Sequence, residues 1–104
     1  MGPETRIVRR ILTALRETFP QGYFRKIHGN PYQHAGITDI IGCVRGRFVG
    51  LEVKTSTGRI SEIQKLEGEE IRKARGIYEV VTDPEEAILA IKKGLNSTIG
   101  SLRA

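Results

Sequence analysis

Two β-prone runs separated by a single dipeptide constrain this chain more than any other feature. Asp39-Ile40-Ile41-Gly42-Cys43-Val44 and Arg47-Phe48-Val49-Gly50-Leu51-Glu52-Val53-Lys54 flank Arg45-Gly46, a spacing that fits a tight turn between antiparallel strands. Pairing Val44 with Arg47 and counting back along the ladder sets Asp39 opposite Glu52. Side chains of such a pair share a face, with β-carbons about 4.5 to 5.5 Å apart, and Lys54, two residues on, shares that face as well. A three-residue loop would slip the register by one and send Glu52 to the other face unless a bulge restored it.

Two carboxylates about 5 Å apart repel by roughly 3 kcal/mol at an effective dielectric near 20, and a cation between them removes that cost. Mg²⁺ (or Mn²⁺) is expected, being a hard cation that takes one or two carboxylates, keeps several waters and completes its shell with phosphate oxygens. Such an ion activates a water and stabilises the charge of a phosphoryl transition state. Lys54 would then hold the attacking water or a non-bridging oxygen. The plainer alternative makes Asp39 a turn residue and Glu52 and Lys54 an ordinary exposed pair; Glu-x-Lys by itself carries little information, and the acid across the hairpin is what lends it weight.

The distribution of charge points the same way. The net charge is +5, but residues 1–60 hold ten Lys or Arg against four acids while residues 61–104 hold seven against eight. The basic half is the half with the candidate site, as expected for a surface that meets a polyanion. A solvated basic surface is the bland alternative. At 104 residues one domain with a single core is expected over the whole chain. The lone Cys43 has no partner for a disulfide or zinc cluster and allows a reducing, intracellular setting. No run approaches the roughly eighteen apolar residues of a membrane span, and the N-terminus is too charged for a secretory signal.

Hydrophobic periodicity predicts a first helix from about Pro3 to Thr18, with Ile7, Val8, Ile11, Leu12 and Leu15 inward and Arg6, Arg9, Arg10 and Arg16 outward. A strand over Tyr23–His28 follows, then a polar loop from Gly29 to Gly36, then the hairpin. A second helix from Ser61 to about Ala74, ended by Gly76, leads to a strand over Ile77–Val81 expected parallel to the second hairpin strand. Asp83-Pro84 opens a third helix running toward Gly94. Beyond it Leu95, Ile99 and Leu102 keep helical spacing, but Asn96, Gly100 and Ser101 weaken any helix.

Several other residues carry two readings each. Glu4 continues the inward stripe of the first helix and adds a third carboxylate, or it complements the helix dipole. Gln64 completes a Ser-x-x-Gln capping box with Ser61, or it returns to the cleft and orients a water or phosphate. Arg9, Arg10, Lys26, His34 and Arg59 are candidate DNA contacts, against solvated charges as the alternative. Tyr32 stacks on a base or packs its loop, and Gly42 and Gly50 allow close approach of neighbours.

Gly36-Ile37-Thr38-Asp39, Leu51-Glu52-Val53-Lys54 and Ser61-Glu62-Ile63-Gln64 together resemble the VRR-Nuc family of the PD-(D/E)XK nuclease superfamily, over most of the chain from Glu4 onward. The resemblance implies an α/β fold with an αβββαβ core, a mixed sheet flanked by helices, plus a C-terminal helix here. It makes Asp39, Glu52, the Val53 carbonyl and Glu4 metal ligands, Lys54 the catalytic lysine and Gln64 the helix-2 glutamine beside the site. Thr38 departs from the proline usual at that position. Small members of the family are similar to Holliday-junction resolvases, and a four-way junction needs two symmetric cuts, which a homodimer supplies. No zinc finger or other sequence-reading module is visible, so branched DNA read by shape is the expected substrate. A monomeric flap or general branched-DNA nuclease and a non-catalytic DNA-binding module are the alternatives.

Overall fold

A computed structural model of the chain describes residues 2–28 and 36–102, with side chains through residue 97. The 29–35 segment, with Tyr32 and the candidate contact His34, lies outside the described residues.

The elements follow in the order α1 (Pro3–Thr18), β1 (Tyr23–Lys26), β2 (Ile40–Val44), β3 (Arg47–Val53), α2 (Glu62–Lys73), β4 (Ile77–Val81) and α3 (Pro84–Leu102). This is the expected αβββαβ core with an added C-terminal helix. The four strands form one mixed sheet in the order β1-β2-β3-β4, antiparallel except that β4 runs parallel to β3. Arg45 and Gly46 have φ of 51° and 79°, the left-handed pair of a type I′ turn, whose twist matches that of the strands it joins. The turn is therefore two residues long, Val44 pairs with Arg47, and the ladder runs without a bulge to Ile40 opposite Leu51.

Period-two alternation sorts the strands between two faces. Phe24, Ile40, Val44, Val49, Leu51, Val53, Ile77 and Val81 turn to one side, where they join Val8, Ile11, Leu12 and Leu15 of α1 and Ala87 and Ile91 of α3 in the core. The other side carries α2, packed on β3 and β4, and α2 buries no large side chain. Its buried residue is Gly68, where a β-carbon would collide with the Tyr78 ring.

Three expectations need correction. The first strand stops at Lys26 and does not reach His28, although the Ile27 N–H still bonds the Asp39 carbonyl at 2.8 Å. Helix α2 does not end on a left-handed Gly76: Arg75 takes that conformation, with φ 70°, while the Gly76 N–H bonds Ile71 O and the Arg75 N–H bonds Arg72 O, a Schellman cap. Helix α3 passes through Gly94 and continues to Leu102. A β-carbon at Gly94 would lie 2.6 Å from Ile77 Cγ1, so that glycine seats the helix on the sheet and is not a stop signal. The Arg47 guanidinium adds a clamp, donating to the Arg75 and Gly94 carbonyls.

A helix-interior Gly→Ala change ordinarily stabilises by about 1 kcal/mol. At Gly68 the Tyr78 ring occupies the space, and overpacking costs about 1 to 3 kcal/mol. Gly68→Ala should therefore lower the unfolding free energy in urea denaturation, and a stabilised variant would show that α2 does not rest on Tyr78 as described.

Candidate metal and phosphodiester site

The hairpin register carries one step past the last paired residues. Asp39 stands at the entry to β2, beyond the pairing of Ile40 with Leu51, and its Oδ2 accepts the Val53 N–H at 2.7 Å. Glu52 lies on the sheet face opposite the core and is only 1% exposed. Lys54 follows on that same face, its Nζ 4.0 Å from Glu52 Oε1, and its N–H bonds the Val81 carbonyl at 3.0 Å. Thr38, just before Asp39, is buried; its hydroxyl donates to the Ile40 carbonyl at 3.1 Å and its methyl packs over Gly50.

Both readings of Gln64 hold at once. Ser61 caps α2, its Oγ accepting the Gln64 N–H at 3.2 Å while Gln64 Oε1 accepts the Ser61 N–H at 2.8 Å. With the amide oxygen committed to the cap, the Nε2 group turns to the sheet and donates to Glu52 Oε1 at 2.7 Å. One side chain thus completes the helix start and positions a carboxylate.

Glu52 is where this arrangement is under tension. Burial is the main cause that pushes its carboxyl up to about 8, followed by the adjoining Asp39 as hydrogen-bond partner and as like charge; Lys54 opposes the shift and Glu4 adds slightly to it. With both acids ionised, Glu52 Oε2 is buried with no hydrogen-bond partner, alone in this among the described residues. An orphaned carboxylate oxygen beside a second carboxylate is a donor set that suits a hard divalent cation. Asp39 and Glu52 are the side chains that would hold it.

The remaining candidates are not gathered equally. Glu4 is exposed and acts on Glu52 through its charge, but no group of three Asp, Glu, His or Cys residues able to hold a metal forms among the described residues. Val53 turns its side chain into the core; only its backbone faces the pair. Arg59 lies exposed in the loop between Lys54 and the α2 cap. Lys26 pairs with Ile40 and so alternates onto the core side of the sheet, away from Asp39. Arg9 and Arg10 line a shallow groove with Thr13, Ala14, Glu17 and Pro84, separate from the carboxylates. A concavity of about 650 Å³ runs along β4 between α2 and α3 and includes none of the candidate site residues.

Sequence reasoning passed over Tyr78. Its hydroxyl donates to the Gln64 carbonyl at 3.3 Å, and its ring fills the space that Gly68 leaves, so the first turn of α2 is anchored to β4 beneath Gln64. Burial, with the Glu52 charge second, raises its phenol to about 12, and it stays a donor at neutral pH. A glycine in the middle of an otherwise helical run was the available signal.

No family model matches the chain, and no curated protein matches it. A solved structure of a VRR_NUC domain is similar to it with a TM-score of 0.64, covering 88% of this chain and 97% of that one at 23% sequence identity. The chain has the fold of that domain, a restriction-endonuclease-like α/β arrangement with three helices around a four-stranded mixed sheet.

The raised Glu52 carboxyl has a signed consequence. From pH about 4.5 to about 8 the native state keeps a proton that the unfolded state gives up, so metal-free stability should fall as pH rises through that window and then level off. Glu52→Gln should flatten this slope in urea melts at pH 5, 6.5 and 8 and should be the more stable protein at pH 8. Parallel slopes in the two proteins would contradict the burial account.

Proposed function

We propose that the chain is a VRR-Nuc family member acting as a metal-dependent, structure-selective endonuclease that hydrolyses phosphodiesters in branched DNA, with four-way junctions as its substrate and a homodimer as its working form. The observation that carries this reading is the half-buried Asp39 beside the buried Glu52, one of whose oxygens lacks a partner, with Lys54 on the same sheet face and Gln64 reaching in from α2. The fold shared with a VRR_NUC domain and the basic bias of residues 1–60 support nucleic acid as the polyanion.

Asp39, Glu52 and the Val53 carbonyl would hold Mg²⁺ or Mn²⁺, which supplies a polarised water and neutralises charge on the phosphoryl group. Asp39 is braced by the Val53 N–H and Glu52 by Gln64, so both carboxylates are oriented before substrate arrives. Lys54 is half-buried beside Glu52, close enough to hold the attacking water or a non-bridging oxygen. In-line attack would leave a 5′-phosphate and a 3′-hydroxyl. Two-fold pairing of copies would bring two such sites to one junction for symmetric incisions.

Incubation of four-way junction, flap and linear duplex DNA with and without Mg²⁺ or Mn²⁺ tests the reading. Paired cuts across the junction are expected, with little cutting of linear duplex and none in EDTA. Lys54→Ala should reduce the rate about 100- to 1000-fold, and Asp39→Asn should abolish it with the fold retained by circular dichroism. Undiminished cutting by Asp39→Asn would remove the site, and a monomeric mass in the presence of junction DNA would remove the dimer.

A further inference from the structure

Among the described residues, the sheet face that carries Asp39 and Glu52 is only partly covered. Helix α2 packs on β3 and β4, with no comparable packing on β1 or β2. From the open part to the margin of the α2-covered part the register aligns Tyr23 with Cys43 and Cys43 with Phe48, one row across three strands. Tyr23 is 52% and Phe48 44% exposed, and Cys43 between them is exposed too. The other described aromatic residues are placed differently: Phe19 and Phe24 pack on each other and on the core, and Tyr78 is buried under α2. The two rings stand about 10 Å apart, two strand spacings of roughly 4.8 Å; Tyr23 meets the Arg25 guanidinium and Phe48 lies near Gly76 at the end of α2, yet about half of each ring residue stays open to solvent among the described residues.

Charge says what would cover them. The Arg25 guanidinium lies over the Tyr23 ring, 4.4 Å from its centroid, and exposed Arg45 sits at the hairpin turn beside the row. Along β1 and β2 the open face offers no acid except Asp39 itself. The row lies about 13 Å from Asp39, four residues along β2 at about 3.3 Å each. A strand whose phosphate reaches the carboxylates could thus continue over β2 onto the rings. Exposed aromatic side chains on a sheet, interleaved with arginine, form a surface on which unpaired bases stack.

We propose that Tyr23 and Phe48, with Arg25, form a stacking platform for unpaired bases of a single DNA strand next to the cleavage site. This rests on the reading of the chain as a DNA-processing enzyme, and it adds a feature that selects unpaired segments near a branch. The rings are far enough apart for each to take its own base. Arg25 supplies charge to the backbone while holding the Tyr23 ring in place.

Binding of a fluorescein-labelled oligothymidylate, followed by anisotropy in EDTA so that nothing is cut, measures the platform directly. Tyr23→Ala and Phe48→Ala should each weaken binding about tenfold, Tyr23→Phe should bind as the wild type, and blunt duplex binding should change less than about twofold. On the unaltered protein, an oligonucleotide with 2-aminopurine among unpaired bases should show quenched fluorescence on binding, a readout independent of how the variants fold. Unchanged oligothymidylate affinity in both alanine variants, or no quench, would overturn the platform. So would conversion of a dimer to a monomer by Tyr23→Ala with oligothymidylate affinity intact, since the row would then be a contact between copies. Quenching without cutting under any metal would remove the nuclease reading and leave the platform, whereas metal-dependent junction cutting without quenching would do the reverse.

Discussion

The 2.7 Å bond from the Val53 N–H to the Asp39 carboxylate fastens the hairpin where its ladder runs out, and the site depends on it. The two-residue turn at Arg45-Gly46 sets the register, but the regular pairing stops at Ile40 and Leu51. The Ile27 N–H holds the Asp39 carbonyl from the β1 side, but no ladder pair ties Asp39 to β3. Its carboxylate takes over the role of a ladder acceptor and stays beside Glu52. Thr38, buried and bonded to Ile40 O, holds the same corner from the preceding side.

Holding two acids together has an electrostatic cost that the fold meets only in part. Gln64 satisfies one oxygen of Glu52 and Lys54 stands 4.0 Å away, yet the other oxygen is left without a partner in a buried place. A purely structural use of these residues would favour an amide or an apolar side chain at position 52, because an unpaired buried carboxylate is among the least favourable groups a core can carry. The elements around the site brace it. The Ser61 cap fixes the Gln64 amide, and the Tyr78 phenol holds the turn that carries it, which is possible because residue 68 is glycine.

What the sequence revealed and what it hid divide along physical lines. The hairpin was legible because a two-residue turn and a period-two alternation are local and leave one register. The α2 start was legible because Ser-x-x-Gln encodes its own geometry. Both glycines read as helix stops, Gly76 and Gly94, fill different roles: Gly94 lets α3 lie against Ile77, and Gly76 follows a cap whose left-handed residue is Arg75. Long-range contacts decided those roles, and a local rule about glycine could not see them. Glu4 and Lys26 were harder still. Alternation along β1 is readable, but which face meets α1 is not, so Lys26 falls on the core side, and Glu4 reaches the site through its charge alone. The exposed row of Tyr23 and Phe48 emerges only when three strands are aligned.

The central claim is that Asp39 and Glu52 form a divalent-cation site whose electrostatic tension the ion relieves. Calorimetric titration of Mn²⁺ into the metal-free protein at pH 7, repeated in two buffers of different ionisation enthalpy, counts protons released along with ions bound. With the Glu52 carboxyl pushed up to about 8, binding should release about one proton per site, and Asp39→Asn should bind far more weakly. Saturable binding by Asp39→Asn equal to that of the natural chain, or no binding by either, would contradict the account.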